Sequence, residues 1–495
     1  MNWETDWLEA RSRLSPDREA VVDANSNRRF TFSELNARAW NLAAVFEQHG
    51  IAKGDRIALL APNDISYLDI LFACGKIGAL FVPLNWRLSA VELDYILKDC
   101  EPSILFYHQS LKPLADQTHV KNKRDICSGE YQNWVTGSMP LVDVPMVSMS
   151  DPWAMIYTGG TTGKPKGVVL SHRSIDGNAI NTIISWNLTG DDVTLTYLPM
   201  FHTGGLNALT LPILNIGGKV VIGGQFDAKE AMRLLNEETC TISLMVPTMY
   251  HLLVQHPDFD KTDFPSVKTF LSGGASCPHS IYEAFEKRGI AFKEGYGLTE
   301  AGPNNFFIDP ANAKIKHGSV GKPMMYNMAR VVDDHGNDVG VNETGELWIR
   351  GFHVFDHYWK NDEATQEALA YNWLHTGDLA KFDEDGDFYI LGRKKDMIIT
   401  GGENVYPLEV ENVIGEHPAV SEVAVVGLPD EKWGERVTAL IVLKEGYTMT
   451  EEELKEHCLK RLGKYKIPRT TFFVNELPKT DVGKIDKKRI VSQYA

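Results

Sequence analysis

The stretch RIALLAPNDISYLDILFACGKIGALFVPLN (56–85) decides the fold. Its ends, RIALLAPN and LFVPLN, read as short buried strands, and SYLDILFACGKIGA between them is long enough for a helix. The pattern returns downstream. TISLMVPT (241–248) precedes MYHLLVQH (249–256), and VKTFLSGGA (267–275) precedes SIYEAFEKRG (280–289). Strands alternating with helices predict α/β layers with largely parallel sheets. Its portion from Tyr67 to Leu84 is also the most apolar of the chain, yet Asp69, Lys76 and two glycines interrupt it. It therefore predicts a buried helix and strand, with no integral membrane segment.

Past about residue 315 the texture changes to turn-rich β segments, such as MARVVDDHGNDVG (328–340) and GELWIRG (345–351). DEDGDFYILGRKKDMIITGGENVYP (383–407) predicts a hairpin leading into a hinge. The final hundred or so residues form a compact unit: EVENVIGEHPAVSEVAVVGLPD, a strand TALIVLK, a helix TEEELKEHCLKRL and a basic tail. The expected architecture is α/β: a large N-terminal domain (1–393) of layered sheets with a β-rich subdomain, and a small α+β C-terminal domain (394–495). At 495 residues the chain is too long for one ordinary core, which agrees.

A formal net charge of -16 argues against nucleic-acid binding. The six cysteines are scattered without a Cys-x-x-Cys pair, so neither a disulfide framework nor a zinc site is expected, and a reducing compartment fits. The N-terminus, MNWETDWLEARSRLSP, is acidic and broken by charges, unlike a secretory signal, so a cytoplasmic location is expected.

YTGGTTGKPKG (157–167) has the glycines, hydroxyls and cations of a phosphate-holding loop. A Walker loop requires Gly-x-x-x-x-Gly-Lys-Ser/Thr. Here Pro165 follows Gly163-Lys164 and Thr158 takes the first glycine's place, so the magnesium-binding hydroxyl is missing. No Gly-x-Gly-x-x-Gly follows a strand either. What remains is a loop whose N–H groups, hydroxyls and lysines wrap a polyphosphate as an anion nest.

The loop resembles the signature of the acyl-adenylate-forming superfamily, and six further motifs follow in that family's order. They are LPMFHTGG (198–205), LSGGA (271–275), GYGLTE (295–300), HTGDLA (375–380), GRKKDMIITGGENVYPLEVE (392–411) and PKTDVGKIDK (478–487). The resemblance implies that a carboxylate attacks the α-phosphorus of ATP, pyrophosphate leaves, and the acyl-AMP is passed to the thiol of coenzyme A. It assigns Thr158, Thr161, Thr162, Gly163 and Lys166 to the phosphates, with Gly159 standing where the family often has serine. Glu300 is the implied Mg²⁺ ligand, and one carboxylate suffices because phosphate oxygens and water complete the shell. Thr299 lies by the α-phosphate. Tyr296 and Gly297, with Gly273, Gly274 and Ala275, receive adenine, and Asp378 and Arg393 hold the ribose. Lys484 is the main catalytic cation, bridging carboxylate and α-phosphate as charge builds. His202 gates the acyl group. Lys395 matches the hinge about which the mobile C-terminal domain turns between half-reactions, and Gly402 leaves room for the pantetheine arm.

The acid is read from its pocket. TYLPMFHTGGLNALTLPILNIGG (196–218) holds no Asp, Glu, Lys or Arg, which disfavours an amino acid or a dicarboxylate. Phe201, Leu206, Leu209, Met245 and Val246 offer an apolar lining, with room at Gly204 and Gly205. A medium- or long-chain fatty acid is the favoured substrate, and an aryl acid such as benzoate, cinnamate or o-succinylbenzoate the second. Free coenzyme A is the simplest acceptor; a separate carrier protein and a homodimer are compatible with the sequence, which points to neither. Two rivals remain at this stage, a nucleotide-binding regulator that has lost activity and a light-emitting oxidase using the same adenylate. Lys484, Glu300 and Asp378 together speak against the regulator.

Overall fold

A computed structural model describes residues 4–137, 145–159, 164–480 and 484–495. Helix Ser66–Ile77 is buried along its whole length, so each charge on it needs a partner inside the protein. Asp69 accepts from Arg38 through Nε (2.8 Å) and Nη2 (2.6 Å), and from the Tyr131 hydroxyl (3.0 Å). Lys76 donates to Asp6 and Asn36, both at 2.8 Å. The Asp6 contact ties the N-terminal helix Trp7–Leu14 to this layer. Gly78, at φ 72°, ends the buried helix in the left-handed region and turns the chain into strand Leu80–Pro83. That strand pairs in parallel with Arg56–Leu60, from Arg56 opposite Leu80 to Leu59 opposite Pro83. The strand–helix–strand reading is borne out.

Four sheets are found among the described residues. One seven-stranded sheet runs 357–358, 166–171, 152–158, 80–83, 56–60, 104–107, 123–125. A second, in spatial order, runs 292–294, 269–272, 242–245, 193–196, 219–222, 19–23, 28–31. Its first six strands are parallel and only the last is antiparallel. The largest apolar cluster includes residues of both sheets and of the helices Phe32–Gln48 and Ser66–Ile77. A six-stranded antiparallel sheet follows between residues 306 and 393, the β-rich part expected from the sequence.

The fourth sheet is built wholly from residues 398–473. Apolar clusters on it are drawn entirely from residues 398 onward, one including Val410, Ile414 and Leu454, the other Leu477 and Ile490. The basic tail is more than a tail. Asp486 caps helix Lys487–Tyr494 by accepting from the Arg489 N–H, and Ile490 is fully buried against the sheet. The mixed α/β architecture stands as expected. No described helix is long and apolar enough to cross a membrane.

Candidate active site

Two neighbouring strands of the third sheet bring together the residues expected to hold the ribose. Register places Asp378, on Leu374–Phe382, opposite Arg393, on Phe388–Arg393. Arg393 Nε meets Asp378 Oδ1 at 2.7 Å, and the Tyr296 hydroxyl donates to Asp378 Oδ2. Burial raises the Asp378 carboxyl, and Arg393, Tyr296 and Lys484 pull it back toward the ionised form. Tyr296 packs its ring on Phe306 with centroids 5.9 Å apart. Its neighbour Gly297 has no room for a side chain, since a Cβ would lie 2.2 Å from the Pro303 carbonyl. Gly297→Ala should therefore displace the 296–303 backbone, lowering thermal stability by about 1–3 kcal/mol and weakening ATP binding, as thermal melts with and without nucleotide would register. Gly273, Gly274 and Ala275 follow strand Thr269–Ser272, beside Gly295 at the end of the adjoining strand. Gly274 is left-handed at φ 82°.

The segment expected to hold phosphate connects two antiparallel strands, Pro152–Thr158 and Lys166–Ser171, with Thr158 opposite Lys166. It joins strand to strand, so no helix N-terminus follows it directly as in a Walker loop. Thr161, Thr162 and Gly163 lie outside the described residues. Lys166 Nζ sits 4.9 Å above the ring of Tyr358, and the Tyr358 hydroxyl donates to Glu300 Oε1 at 2.9 Å. The loop's lysine and the GYGLTE glutamate are thus brought together through a tyrosine that the sequence did not single out. Glu300 lies with Thr299 on a short 3₁₀ turn, and its carbonyl accepts from the Phe355 N–H at 2.8 Å. A side chain at Gly159 would meet no atom within 4 Å.

Thr480 N–H donates to the Lys484 carbonyl (2.7 Å), Asp486 N–H to the Pro478 carbonyl (2.8 Å), and Lys479 pairs with Glu422 at 2.6 Å. The Lys484 ammonium acts electrostatically on His202 and Asp378 and is itself acted on by Arg393. Lys484 is exposed to solvent. Desolvation and Arg393 lower its affinity for the proton, against Asp378. Burial, with the charges of Lys484 and Arg87, pushes His202 down to about 4, so its imidazole is neutral at physiological pH. His202 Nε2 is buried with no hydrogen-bond partner, and the ring lies against Phe201 at 4.6 Å. Lys395 sits on the turn Lys394–Asp396 near Arg393 and Lys488, while Lys394 is tethered to Asp334 (2.9 Å) and Glu346 (3.2 Å). Gly402 occupies the exposed turn between strands 398–400 and 403–405, at φ 86°.

A profile described as AMP-binding enzyme matches residues 8–359, and its C-terminal-domain counterpart matches 409–484. The chain belongs to the AMP-binding enzyme family. Among curated relatives, this AMP-binding enzyme is 37% identical to a feruloyl-CoA synthase of an Amycolatopsis species, over 99% of this chain and 98% of that one. It is 35% identical to the long-chain-fatty-acid–CoA ligase FadD13 of Mycobacterium tuberculosis, with the same coverages. In structure it superposes on the o-succinylbenzoate coenzyme A synthetase of Bacillus subtilis in complex with ATP and magnesium ion. The TM-score is 0.87 at 30% identity, covering 97% of this chain and 98% of that one. The AMP-binding enzyme is accordingly an AMP-forming acyl- or aryl-CoA ligase that uses ATP and proceeds through an adenylate.

This AMP-binding enzyme has a small cavity of about 10 Å³, room for a single water, lined by Leu195, Thr196, Gly204, Gly205, Leu209 and Leu244 among others. Phe201 and Leu206 are buried in the main core, and Met245 is buried in another apolar cluster. Arg87 supplies a cation near His202 from the loop after strand Leu80–Pro83, far outside the 196–218 segment.

Proposed function

We propose that the chain ligates an aromatic carboxylic acid of the arylpropenoate kind to coenzyme A. The observation that carries this reading is the 37% identity to a feruloyl-CoA synthase over nearly the full length of both chains. A medium- or long-chain fatty acid is the second reading, favoured by the FadD13 relative. Pyrophosphate release across a panel of cinnamates, benzoates and C8–C16 fatty acids, with and without coenzyme A, separates the two. Turnover confined to fatty acids would overturn the first.

In this reading the acid's carboxylate oxygen attacks the α-phosphorus, the bond to the β-phosphate oxygen breaks, and pyrophosphate departs. Lys484 bridges the carboxylate and an α-phosphate oxygen, offsetting the repulsion between two anions. Asp378 and Arg393 fix the ribose, Tyr296, Gly297 and the 273–275 backbone the adenine, and Thr158, Thr161, Thr162, Gly163 and Lys166 the leaving pyrophosphate. The coenzyme A thiol then attacks the acyl carbon, AMP leaves, and the thiol proton passes to solvent. For this second step the unit beyond Arg393 turns about Lys395, withdrawing Lys484 and bringing Gly402 to the pantetheine arm.

Glu300 fits an Mg²⁺ ligand, because Tyr358 occupies only Oε1. The three-carboxylate group among the described residues, Asp383, Asp385 and Asp387, is already spanned by Lys316 at 2.8, 2.7 and 2.5 Å and does not compete for that role. A bound Mg²⁺ would neutralise phosphate charge there. Glu300→Gln should raise the Mg²⁺ concentration for half-maximal pyrophosphate release by about tenfold, since it removes the only protein charge assigned to the ion. An unchanged metal titration would count against Glu300.

A further inference from the structure

The short helix Thr203–Leu206 starts directly after His202 and is capped at Asn207, so the carbonyls at its end lack helical partners. The next helix cannot supply one to Ala208, because Pro212, four residues on, has no N–H. Two buried asparagines provide the missing donors. Asn178 Nδ2, from helix His172–Ser185, donates to the Asn207 carbonyl at 2.7 Å. Asn304 Nδ2 donates to the Ala208 carbonyl at 2.8 Å and to Thr182 Oγ1, on that same helix, at 3.0 Å. A carbonyl only accepts, so both amides must turn their nitrogen toward the 207–208 backbone. Asn304 belongs to the segment that carries Tyr296, Thr299 and Glu300, and this segment folds back on itself. Asn305 N–H donates to the Tyr296 carbonyl at 3.1 Å, and Leu298 N–H to the Gly302 carbonyl at 3.2 Å. One buried amide therefore ties the GYGLTE segment to the backbone that follows His202. His202 Nε2 has no hydrogen-bond partner, while the His202 carbonyl accepts from the Gly205 and Leu206 N–H groups, both at 3.1 Å. The ring thus takes its place from the short helix that Asn178 and Asn304 anchor.

We propose that Asn304 is a positioning residue for adenylate formation, setting His202, on the acyl side, relative to Tyr296 and Glu300, on the nucleotide side. The inference rests on the roles read above for His202 and Glu300. Asn304 acts through the 203–208 backbone, not on a reactant. Adenylation needs the carboxylate held at attacking distance from the α-phosphorus, and a misplacement of about 1 Å costs about 10²-fold in rate. An apolar side chain at 304 would leave the Ala208 carbonyl unpaired in the interior and release the short helix from the GYGLTE segment.

The test is a double-mutant cycle of Asn304→Leu and His202→Ala, read in acid-dependent pyrophosphate release with thermal melts alongside. Asn304→Leu should lower kcat by about 10²-fold. It should leave KM for ATP near the wild-type value, because Tyr296, Asp378 and Arg393 keep their own contacts. On a His202→Ala background the same change should add little, since the residue it positions is gone. Additive losses, or a lowered melting temperature with unchanged kcat, would make Asn304 purely structural and overturn the proposal while the reading of His202 stands. A wild-type rate in His202→Ala would remove that reading and the proposal with it. Should Asn304→Leu fail to fold, Asn304→Ser takes its place in the cycle. A water beside the shorter side chain can satisfy the Ala208 carbonyl without fixing its position, so the same coupled loss is expected and additivity is again the contrary result.

Discussion

Replacing Lys484 with alanine should lower acid-dependent pyrophosphate release by about 10²–10³-fold, the usual effect of removing one donor aimed at developing charge. The same variant should still convert a supplied acyl-adenylate and coenzyme A to thioester at near wild-type rate. The contrast follows from where the ammonium sits. Its charge is felt by Asp378 and His202 and is opposed by that of Arg393. Only the adenylation step brings two anions to that point, and the thioester step begins from an uncharged acyl carbon. Because the hydrogen bonds at Pro478, Thr480, Lys484 and Asp486 are made by backbone groups, removal of the Lys484 side chain leaves them in place. Unchanged thermal melts would confirm that the loss is chemical. Equal loss in both half-reactions would remove the role assigned to Lys484.

Asp378→Asn should cut kcat/KM for ATP by about 10²-fold, mostly through KM, because a charged acceptor is exchanged for a neutral one at a site that holds two hydroxyls. Asp378 is 7% exposed and Arg393 is 47% exposed, so the freed guanidinium regains water and the fold loses little. The Tyr296 hydroxyl can still donate to the oxygen of the substituted side-chain amide. A fall in melting temperature with an unaltered KM for ATP would make Asp378 a structural residue instead.

The strand–helix–strand units were legible because burial writes itself into sequence. Ser66–Ile77 is buried on every face, and only the polar partners Arg38, Asp6 and Asn36 needed the structure to find them. Motifs singled out Tyr296, Asp378 and Arg393, and the structure brings the three side chains together. Tyr358 was not legible. It belongs to a two-residue edge strand whose pairing with Lys166–Ser171 has no local pattern to announce it. Arg87 was missed because proximity to His202 arises from the fold, between segments far apart along the chain. Alternation on strand Ile242–Met245 gives Leu244 and Met245 to opposite faces, a distinction that hydrophobicity alone does not make.

The most direct measurement of the central claim follows an oxygen atom. The acid is labelled with ¹⁸O in its carboxylate, incubated with ATP and coenzyme A, and the products are resolved by mass spectrometry. Attack on the α-phosphorus predicts one ¹⁸O in AMP, none in pyrophosphate, and thioester in equal amount. Label appearing in orthophosphate alongside ADP would place the break at the γ-phosphate and contradict the account.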